Sequence, residues 1–540
     1  MKVNNDLERF ANVRSIVGLI DWRLIVLIIF CCSVQMYFLS SPFVNLEYVY
    51  HQSAEFISYG SGLRDSLLNL FEGFNNPIGN VVLIAGAQNL FGVTEWSSRM
   101  PALLSWVICV SVVYVVCSIW WSSPLALISV TLVSVVPVFW VYSGTTYPDV
   151  PFTALITLAM FVAGYAIDKH SIKMHLLSAL LISVASLIRY NGLLFLPVIF
   201  ISAWIHSRNN KLENVIVYLL KVFVFYIGFV IIVLAPYFVW TRQVLGIVFR
   251  PEFVLISASD IKFHLIATIP RLGGYIMWLG ALFVPFIPII LNYIRSSSSQ
   301  SYKWVIVCIM PLNLGVVFLV QYLESFSGEA FGEMWFGWLE RLLPFLVIQA
   351  MRLVFLLVGE LCVFGIIKWG REKVWPNMYI SLWLLIPLLI HSFYRMSQRY
   401  VMFFCIPLAI FLSLILYKSF INDAKKSLAI WSITIYMIIY SAVGIFTTIY
   451  YSTEGYAAAD IAYTVNNNNY NIEASRHNPV LTNSAYLVDE SRFSSNNNNQ
   501  VSHRVVMLGI GETVDGIVYL REVRVLGILL KSYAIVKEVY

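Results

Sequence analysis

The sequence predicts an α-helical polytopic membrane protein with about thirteen transmembrane helices, interfacial helices in the first outer loop and a small α/β C-terminal extracytoplasmic domain. Three observations carry this prediction. Hydrophobic residues make up 59% of the 540 residues and charged residues only 12%, about half the charged fraction of a typical soluble domain. The mean hydropathy is +0.78. Apolar segments long enough to cross a bilayer recur along most of the chain.

Thirteen segments have the composition of a membrane span, which needs about 20 mainly apolar residues. The first continues past Trp22 without a small-residue cleavage site, so we interpret it as a retained helix and not as a removed signal peptide. Between the first two spans, residues 77–91 mix apolar and small residues, which is typical of a helix lying in the membrane interface. The predicted spans are 24–40, 100–119, 123–143, 150–167, 175–188, 191–206, 215–240, 272–293, 304–322, 342–367, 377–394, 400–417 and 428–450.

The short loops between these segments indicate the orientation, because lysine and arginine concentrate on the cytoplasmic side of membrane proteins. The N-terminal segment 1–23 and alternate loops carry these residues, so we expect that side to be cytoplasmic, in a bacterial inner (plasma) membrane. The first outer loop (41–99) and the acidic 323–341 loop then face outward. The basic residues on the cytoplasmic side are Lys2, Arg9, Arg14, Arg23, Lys169, Lys173, Arg208, Lys211, Arg295, Lys303, Lys368, Arg371, Lys373, Lys418, Lys425 and Lys426.

The composition changes near residue 451, which predicts a transmembrane domain over 24–450 and a periplasmic or extracellular domain over 451–540. Asparagine runs separate short alternating stretches in this last part and are expected to form loops. All seven cysteines lie in apolar runs and none has metal-ligand spacing, so no structural disulfide is expected. The predicted strands are Arg504–Leu508, Ile517–Leu520, Glu522–Leu526 and Tyr533–Val536.

Two carboxylates and several cations fall on the outer side of the predicted bundle. Arginines there can hold a lipid phosphate with paired hydrogen bonds, and a carboxylate can take the proton from an acceptor hydroxyl. The set therefore predicts a transfer reaction in which a phosphate leaves. Its members are Glu47 after the first span, Asp149 between two prolines at the start of a span, Arg189 in a short turn, and His391, Arg395 and Arg399 near a later span end.

Each of these residues has a simpler interpretation when taken alone. Glu47 could be a solvated carboxylate, and Asp149 could only cap the helix that starts beside it. Arginines at helix ends often extend to lipid headgroups as anchors. Arg189 is the sharpest single candidate, because it lies between two apolar runs with no other charge nearby. The functional prediction therefore rests on the set.

The order of these residues resembles the membrane-embedded C-type glycosyltransferases, specifically the protein O-mannosyltransferase and aminoarabinose-transferase group. The resemblance covers roughly residues 20–420. It is carried by Glu47, by Asn76-Pro77-Ile78-Gly79, by Phe91-Gly92 with Arg99, by Pro148-Asp149, by Arg189-Tyr190, and by Arg399-Tyr400 with Pro407.

The resemblance implies a transfer of one sugar from a polyprenyl-phosphate donor, with inversion, to a hydroxyl of a glycan, lipid or protein. Glu47 would be the general base, and Asp149 would support it or position the acceptor. The implied lipid-phosphate and substrate site comprises Arg189, Arg395, Arg399, Tyr400, His391, Arg99 and Asn76. Two positions depart from the family pattern, because Leu46 replaces the usual Asp and Asn76 replaces a basic residue. We interpret these departures as a change in specificity.

Two other functions remain open from the sequence. A flippase or transporter of lipid-linked glycans would show internal repeats or ionisable residues near span centres. No repeat is visible and the charges cluster at the outer boundary, which favours the enzyme. An oligosaccharide ligase or polymerase of the same superfamily, using a pyrophosphate lipid, is the second. The expected partners are the donor lipid, the acceptor and membrane lipids, with no nucleic acid. No cofactor is expected; a divalent metal would be compatible with the chemistry, but no motif indicates one.

Overall fold

The structure is a computed structural model and describes most of the chain. The described residues are 21–44, 47–73, 76–210, 214–246, 258–295, 313, 315–321, 343–372, 374–394, 397–468, 472–473, 493–494, 503–508, 517–525 and 528–537. The predicted 323–341 loop and Arg395 lie outside these residues, as does most of the predicted span 304–322.

Seventeen α-helices and five strands are numbered here in chain order within the described residues. Short 3₁₀ turns at Tyr190–Phe195, Val284–Phe286 and Gln398–Tyr400 join some of them. The helices are α1 Trp22–Phe38, α2 Glu47–Ser58, α3 Leu63–Gly73, α4 Gly79–Phe91, α5 Glu95–Trp120, α6 Ser123–Ser134, α7 Pro137–Ser143, α8 Asp149–Lys169, α9 Ile172–Ile188, α10 Leu196–Asn209, α11 Val215–Leu245, α12 Ala258–Phe283, α13 Ile287–Arg295, α14 Phe345–Gly370, α15 Trp375–Tyr394, α16 Val401–Ile421 and α17 Asp423–Asn467.

The chain is an integral membrane protein, as the sequence predicts. Among the described residues, nine helical segments are long and apolar enough to cross a membrane, or ten if the bent pair α6–α7 forms one span. The predicted number of thirteen is not confirmed. Part of the difference comes from α1 and α9, which are apolar but have only 17 residues each. The bend of 67° between α6 and α7 falls at Pro137, whose ring disfavours helical geometry in the residue before it.

The centre of the bundle is α16. Its residues 401–412 are all buried, and its apolar side chains are distributed around the whole helix. A helix that is apolar on every side is stable only when other protein surfaces surround it, or when lipid does. Here α6, α8, α12, α15 and α17 contact it. By contrast, only a small part of α11 is buried, so α11 lies at the periphery of the bundle.

Helix α17 runs without interruption past the predicted boundary at residue 451 and ends at Asn467. A five-stranded sheet follows, with strand order β2-β1-β3-β5-β4. Strands β1 and β2 are parallel, as are β1 and β3, whereas β3, β5 and β4 pair in antiparallel fashion. The strands are β1 Ile472–Glu473, β2 Phe493–Ser494, β3 His503–Leu508, β4 Ile517–Val525 and β5 Ile528–Lys537.

The sheet confirms that strands form a small structure near the C-terminus, as predicted. The bounds of the individual strands differ from the prediction. The two strands predicted at Ile517–Leu520 and Glu522–Leu526 form one strand, β4, with an irregular register between Ile517 and Tyr519. Glu454 of α17 is buried where the sheet packs on this helix. It pairs with Lys531 of β5 and accepts a hydrogen bond of 2.7 Å from the Tyr533 hydroxyl.

Helices α12 and α14 approach each other at two glycines. A Cβ atom on Gly280 would collide with the backbone carbonyl of Phe355, and one on Gly359 would collide with the carbonyl of Ile276. Small residues at such crossings let two helix backbones pack closely, which is a main source of helix association in membranes.

We therefore expect Gly359→Ala to destabilise the protein by about 1–3 kcal/mol, the usual cost of overpacking a tight contact. Thermal unfolding in detergent measures this effect. Gly228→Ala in α11 is the matched control, because a Cβ there meets no atom within 4 Å. Equal unfolding temperatures for the two variants would contradict the close packing of α12 and α14.

Candidate active site

The first carboxylate, Glu47, begins α2 and is completely buried. Arg99 binds it through two nitrogens, with Nη2 at 2.8 Å from Oε2 and Nε at 3.2 Å from Oε1. Two backbone amides complete the coordination, from Val44 to Oε2 at 3.0 Å and from Thr146 to Oε1 at 2.9 Å. Each carboxylate oxygen therefore accepts two hydrogen bonds.

Arg99 lies in the first turns of α5 and is itself buried. Besides Glu47, its guanidinium donates to the backbone carbonyls of Leu39 at 2.9 Å, Ser41 at 2.5 Å and Pro42 at 3.3 Å. Its charge lies 4.9 Å from the centre of the Phe43 ring. All five N–H groups are thus directed at protein acceptors, and the pair fastens the segment after α1 to the start of α5.

The second carboxylate, Asp149, begins α8 directly after Pro148 and is also completely buried. Its Oδ1 accepts from Arg189 Nη1 in a close ion pair. Its Oδ2 lies 3.9 Å from Arg399 Nη1. Within the described part of the chain, no group donates a hydrogen bond to Oδ2. The side chain of Arg399 remains 28% exposed, more than those of Asp149 and Arg189.

Arg189 connects Asp149 to the turn before α16. Its Nη2 donates to the Tyr400 hydroxyl at 3.2 Å, and its charge lies 4.9 Å from the centre of that ring. His391 of α15 packs against the Tyr400 ring at 5.2 Å. His391 Nδ1 lies 2.8 Å from the carbonyl of Pro387, which leaves Nε2 facing Asn191 at 3.4 Å.

The segment between α7 and α8 joins the two carboxylates. The hydroxyl of Thr146 donates to the backbone carbonyl of Glu47 at 2.9 Å. Asn80 of α4 donates to the Thr146 carbonyl at 2.8 Å. Tyr147 follows, and the Arg399 guanidinium lies 5.3 Å from the centre of its ring. The two ion pairs are therefore parts of one site and not separate contacts.

Sequence analysis missed two aromatic residues of this site, Tyr50 and Tyr147. Their rings make an edge-to-face contact at 5.9 Å. Asn76 donates to the Tyr50 hydroxyl at 2.7 Å, which brings Asn76 beside the cluster. The signal was present but weak, because Tyr50 lies one helical turn after Glu47 and Tyr147 two residues before Asp149.

The helix ends explain why these residues meet. Helices α2, α5 and α8 begin at this end of the bundle, α9 and α15 end there, and α16 begins there. A short chain reversal at each end brings its polar residues to the same level. Seven of the nine predicted site residues are seen in this cluster with direct contacts, and Asn76 joins it through Tyr50; Arg395 is outside the described residues.

A cavity of about 30 Å³ lies beside Glu47 and Arg99. Gln35, Tyr451 and Ser452 help to line it, and the Oε1 atom of Gln35 is buried with no hydrogen-bond donor among the described residues. A polar cavity of this size has room for an ordered water. No group of three or more His, Cys, Asp or Glu side chains could hold a metal ion in the part of the chain that is described; the expected independence from metal stays a prediction.

His51 of α2 lies close to the Glu47–Arg99 pair, because both His51 and Arg99 contact the Phe43 ring. Its Nδ1 lies 2.8 Å from the Ser98 hydroxyl, its ring contacts the Phe43 ring at 4.8 Å, and Gln88 donates to its carbonyl at 3.3 Å. Burial lowers the pKa of His51 from 6.5 to about 4. The imidazole is therefore uncharged at neutral pH.

Apolar spans and a buried cluster of carboxylates and arginines at one end of the bundle define an integral membrane protein with a charged, largely buried site. Residues 75–240 match the family model described as dolichyl-phosphate-mannose-protein mannosyltransferase. This match confirms the predicted resemblance to membrane C-type glycosyltransferases over that part of the chain, which contains Asn76, Arg99, Asp149 and Arg189.

Several solved structures are similar to this chain at low identity. ArnT from Cupriavidus metallidurans bound to undecaprenyl phosphate has 10% identity and a TM-score of 0.44, covering 95% of this chain and 97% of that one. Its apo state has 12% identity and a TM-score of 0.43 over the same shares. An oligosaccharyltransferase from Archaeoglobus fulgidus has 11% identity and a TM-score of 0.46, covering 80% of this chain and 55% of that one. No curated protein matches the chain.

Removing Arg99 alone should leave the Glu47 charge buried without its cation. We expect Arg99→Met to lower the free energy of unfolding by about 3–5 kcal/mol, the usual cost of breaking a buried ion pair. The double variant Glu47→Gln with Arg99→Met should recover part of this loss, because no charge is then left unpaired. Denaturation in mixed detergent micelles measures both. A double variant less stable than Arg99→Met would contradict the coupling.

The His51 shift predicts a pH dependence of stability. Between pH 6.5 and about 4, the unfolded chain binds a proton at this side chain that the folded protein does not. The free energy of unfolding therefore rises with pH in this window, and the contribution of His51 to it is lost as the pH falls. We expect the unfolding temperature to drop between about pH 7 and about pH 5 by more in the wild type than in His51→Gln. Equal drops would show that His51 does not contribute.

Proposed function

We propose that this protein transfers a monosaccharide from a polyprenyl-phosphate-linked donor to an acceptor hydroxyl at the outer face of the membrane. The single observation that carries the proposal is the pairing of a partly exposed Arg399 with a buried Asp149 oxygen that accepts no hydrogen bond from the described residues. A phosphate needs the cation and an acceptor hydroxyl needs the carboxylate. The mannosyltransferase family match over residues 75–240 supports the same reaction class.

The proposed reaction is a single displacement with inversion. The acceptor oxygen forms a bond to the anomeric carbon while the bond from that carbon to the phosphate oxygen breaks. The electron pair leaves on the lipid phosphate, and the hydroxyl proton goes to a carboxylate of the protein. Arg399 stabilises the negative charge that grows on the phosphate, as positioned cations do in phosphate-leaving reactions. Arg189 has less freedom for this task, because it already pairs with Asp149 and Tyr400.

Two carboxylates are candidates for the proton acceptor. Glu47 is the base predicted from the sequence, and that role stays a prediction. Both of its oxygens already accept two N–H hydrogen bonds, so taking up a proton would break at least one of them. Asp149 Oδ2 carries no such bond among the described residues. We therefore assign the proton to Asp149 and a positioning role to Glu47, whose backbone carbonyl and carboxylate hold Thr146.

The acceptor is a hydroxyl of a glycan, a lipid or a protein, and the site faces the periplasm or exterior of a bacterial plasma membrane in this proposal. The positive-inside distribution of lysine and arginine supports this orientation. So does the position of the Asp149 end of α8, which is opposite to Lys169 and Lys173.

Transfer in proteoliposomes tests the proposal, with a panel of radiolabelled polyprenyl-phosphate sugars and a membrane extract as acceptor. We expect Asp149→Asn to lower kcat by a factor of about 100 or more, the usual contribution of a general base. Glu47→Gln should lower activity less and lower stability more. Asp168→Asn is the matched control, because Asp168 also pairs with a neighbouring cation, Lys169 at 3.1 Å, but at the opposite end of α8.

The outcomes separate the alternatives. A loss of transfer in Glu47→Gln at full stability, with Asp149→Asn active, would return the base role to Glu47. If labelled lipid moves to the other leaflet without being consumed, the protein is a flippase and not a transferase. Consumption of pyrophosphate-linked donors alone would indicate a ligase or polymerase of the same superfamily.

A further inference from the structure

Ser397 lies between α15 and the turn that carries Arg399, and it is not part of a helix. Helix α15 ends at Tyr394, and the 3₁₀ turn Gln398–Tyr400 leads directly into α16. In a continuous α-helix the Ser397 amide would donate to the Phe393 carbonyl, four residues earlier. That pairing is replaced here by contacts to another helix.

Both groups of the missing helical bond are held by side chains of α12. Arg271 Nη1 donates to the Phe393 carbonyl at 3.1 Å. The Ser397 amide donates to the Tyr275 hydroxyl at 3.2 Å. Arg271 and Tyr275 are four residues apart, so they lie on one face of α12, one turn above the other. One helix therefore supplies an acceptor and a donor at the spacing that the interrupted bond requires.

Neither side chain has freedom to move away. Arg271 is 2% exposed and Tyr275 is completely buried. Arg271 Nη1 also lies 2.9 Å from His264 Nδ1, and its charge is 5.5 Å from the centre of the Phe263 ring. A cation at the C-terminal end of a helix is further stabilised by the helix dipole, and α15 ends one residue after Phe393.

Tyr275 is fixed by aromatic packing. Its ring makes edge-to-face contacts with Trp278 at 5.5 Å and with Phe404 of α16 at 5.5 Å. Its hydroxyl therefore has a defined position relative to both α12 and α16. An oxygen placed this way can hold an amide outside a helix without a large loss of conformational freedom.

The consequence reaches the candidate site within three residues. Arg399 follows Ser397 by two positions and approaches Asp149, and Tyr400 accepts from Arg189. If the chain continued as a helix through Ser397, the direction of the following residues would change and these contacts would be lost.

We propose that Arg271 and Tyr275 are positioning residues that hold the Phe393 carbonyl and the Ser397 amide and so place Arg399 and Tyr400 against the Asp149–Arg189 pair. Arg271 and Tyr275 do not touch the reacting groups. They act through the backbone at Phe393 and Ser397. Their effect on binding of a polyprenyl-phosphate lipid rests on the function proposed above, whereas their effect on the backbone does not.

The test compares Tyr275→Phe with Tyr436→Phe. Each substitution removes one buried hydroxyl, and Tyr436 donates to the Leu132 carbonyl at 2.8 Å, away from the site. We expect Tyr275→Phe to speed hydrogen exchange in peptides covering 394–400 and to raise KM for the donor lipid roughly tenfold, the scale of one lost buried hydrogen bond. We expect kcat to fall as well, because Arg399 is proposed to bind the donor phosphate and also to stabilise the negative charge that grows on it in the transition state. Tyr436→Phe should have none of these effects.

Arg271 provides a second, independent variant. Arg271→Lys keeps the charge and one donor for the Phe393 carbonyl, so it should retain more donor affinity than Arg271→Gln. Equal loss in both would mean that charge placement at Phe393 is not the cause. Unfolding temperatures of all variants show whether a change is merely a loss of folding.

Each result has one meaning. Unchanged exchange at 394–400 in Tyr275→Phe overturns the inference, whatever the transfer activity. Faster exchange with an unchanged KM would show that holding the Ser397 amide does not determine how Arg399 binds the donor lipid. A wild type that neither binds nor consumes any polyprenyl-phosphate lipid overturns the proposed function, while the exchange result still decides whether α12 holds the Ser397 amide.

Discussion

The buried ion pair between Glu47 and Arg99 is the interaction on which the rest of the site depends. Burying two charges costs several kcal/mol per ion unless the remaining hydrogen-bond donors and acceptors of the pair also find partners. Here they are satisfied, and by backbone groups of the segment before α2 and of Thr146. The pair therefore fixes three separate parts of the chain, and one of them leads within three residues to Asp149.

The two carboxylates have different surroundings, which is the basis for the different roles proposed for them. Glu47 receives four hydrogen bonds and faces a cavity with room for about one water. Asp149 receives one strong ion pair, and its other oxygen faces the more exposed Arg399. A fully hydrogen-bonded carboxylate is suited to hold a loop. A carboxylate with one oxygen that accepts no hydrogen bond from the described residues, next to a partly exposed arginine, fits the proposed chemistry on a phosphate ester.

The sequence predicted what depends on local patterns. Apolar length predicted that the chain spans a membrane, although not the number of spans. The order and sidedness of the motifs predicted that Glu47, Asp149, Arg189 and Arg399 belong to one site. It could not predict what depends on tertiary contacts. The amides of Val44 and Thr146 that bind Glu47 are backbone groups, which every residue except proline carries, so no side-chain pattern marks them. Tyr50 and Tyr147 look like other interfacial aromatics until the α7–α8 segment meets α2. The course of α17 past residue 451 depends on the sheet that packs against it.

Helix α17 joins the C-terminal sheet to the site. Gly455 of α17 lies so close to the Pro42 carbonyl that a Cβ there would approach it at 2.5 Å. Pro42 is also an acceptor of Arg99, and the neighbouring Tyr451 and Ser452 line the cavity beside Glu47. One residue before Gly455, Glu454 is held by Lys531 and Tyr533 of β5. A single helical turn therefore contacts the sheet on one side and the Glu47–Arg99 region on the other. Because these residues lie on one rigid helical turn, the buried Glu454–Lys531 pair and the close contact between Gly455 and Pro42 connect the sheet to the segment after α1.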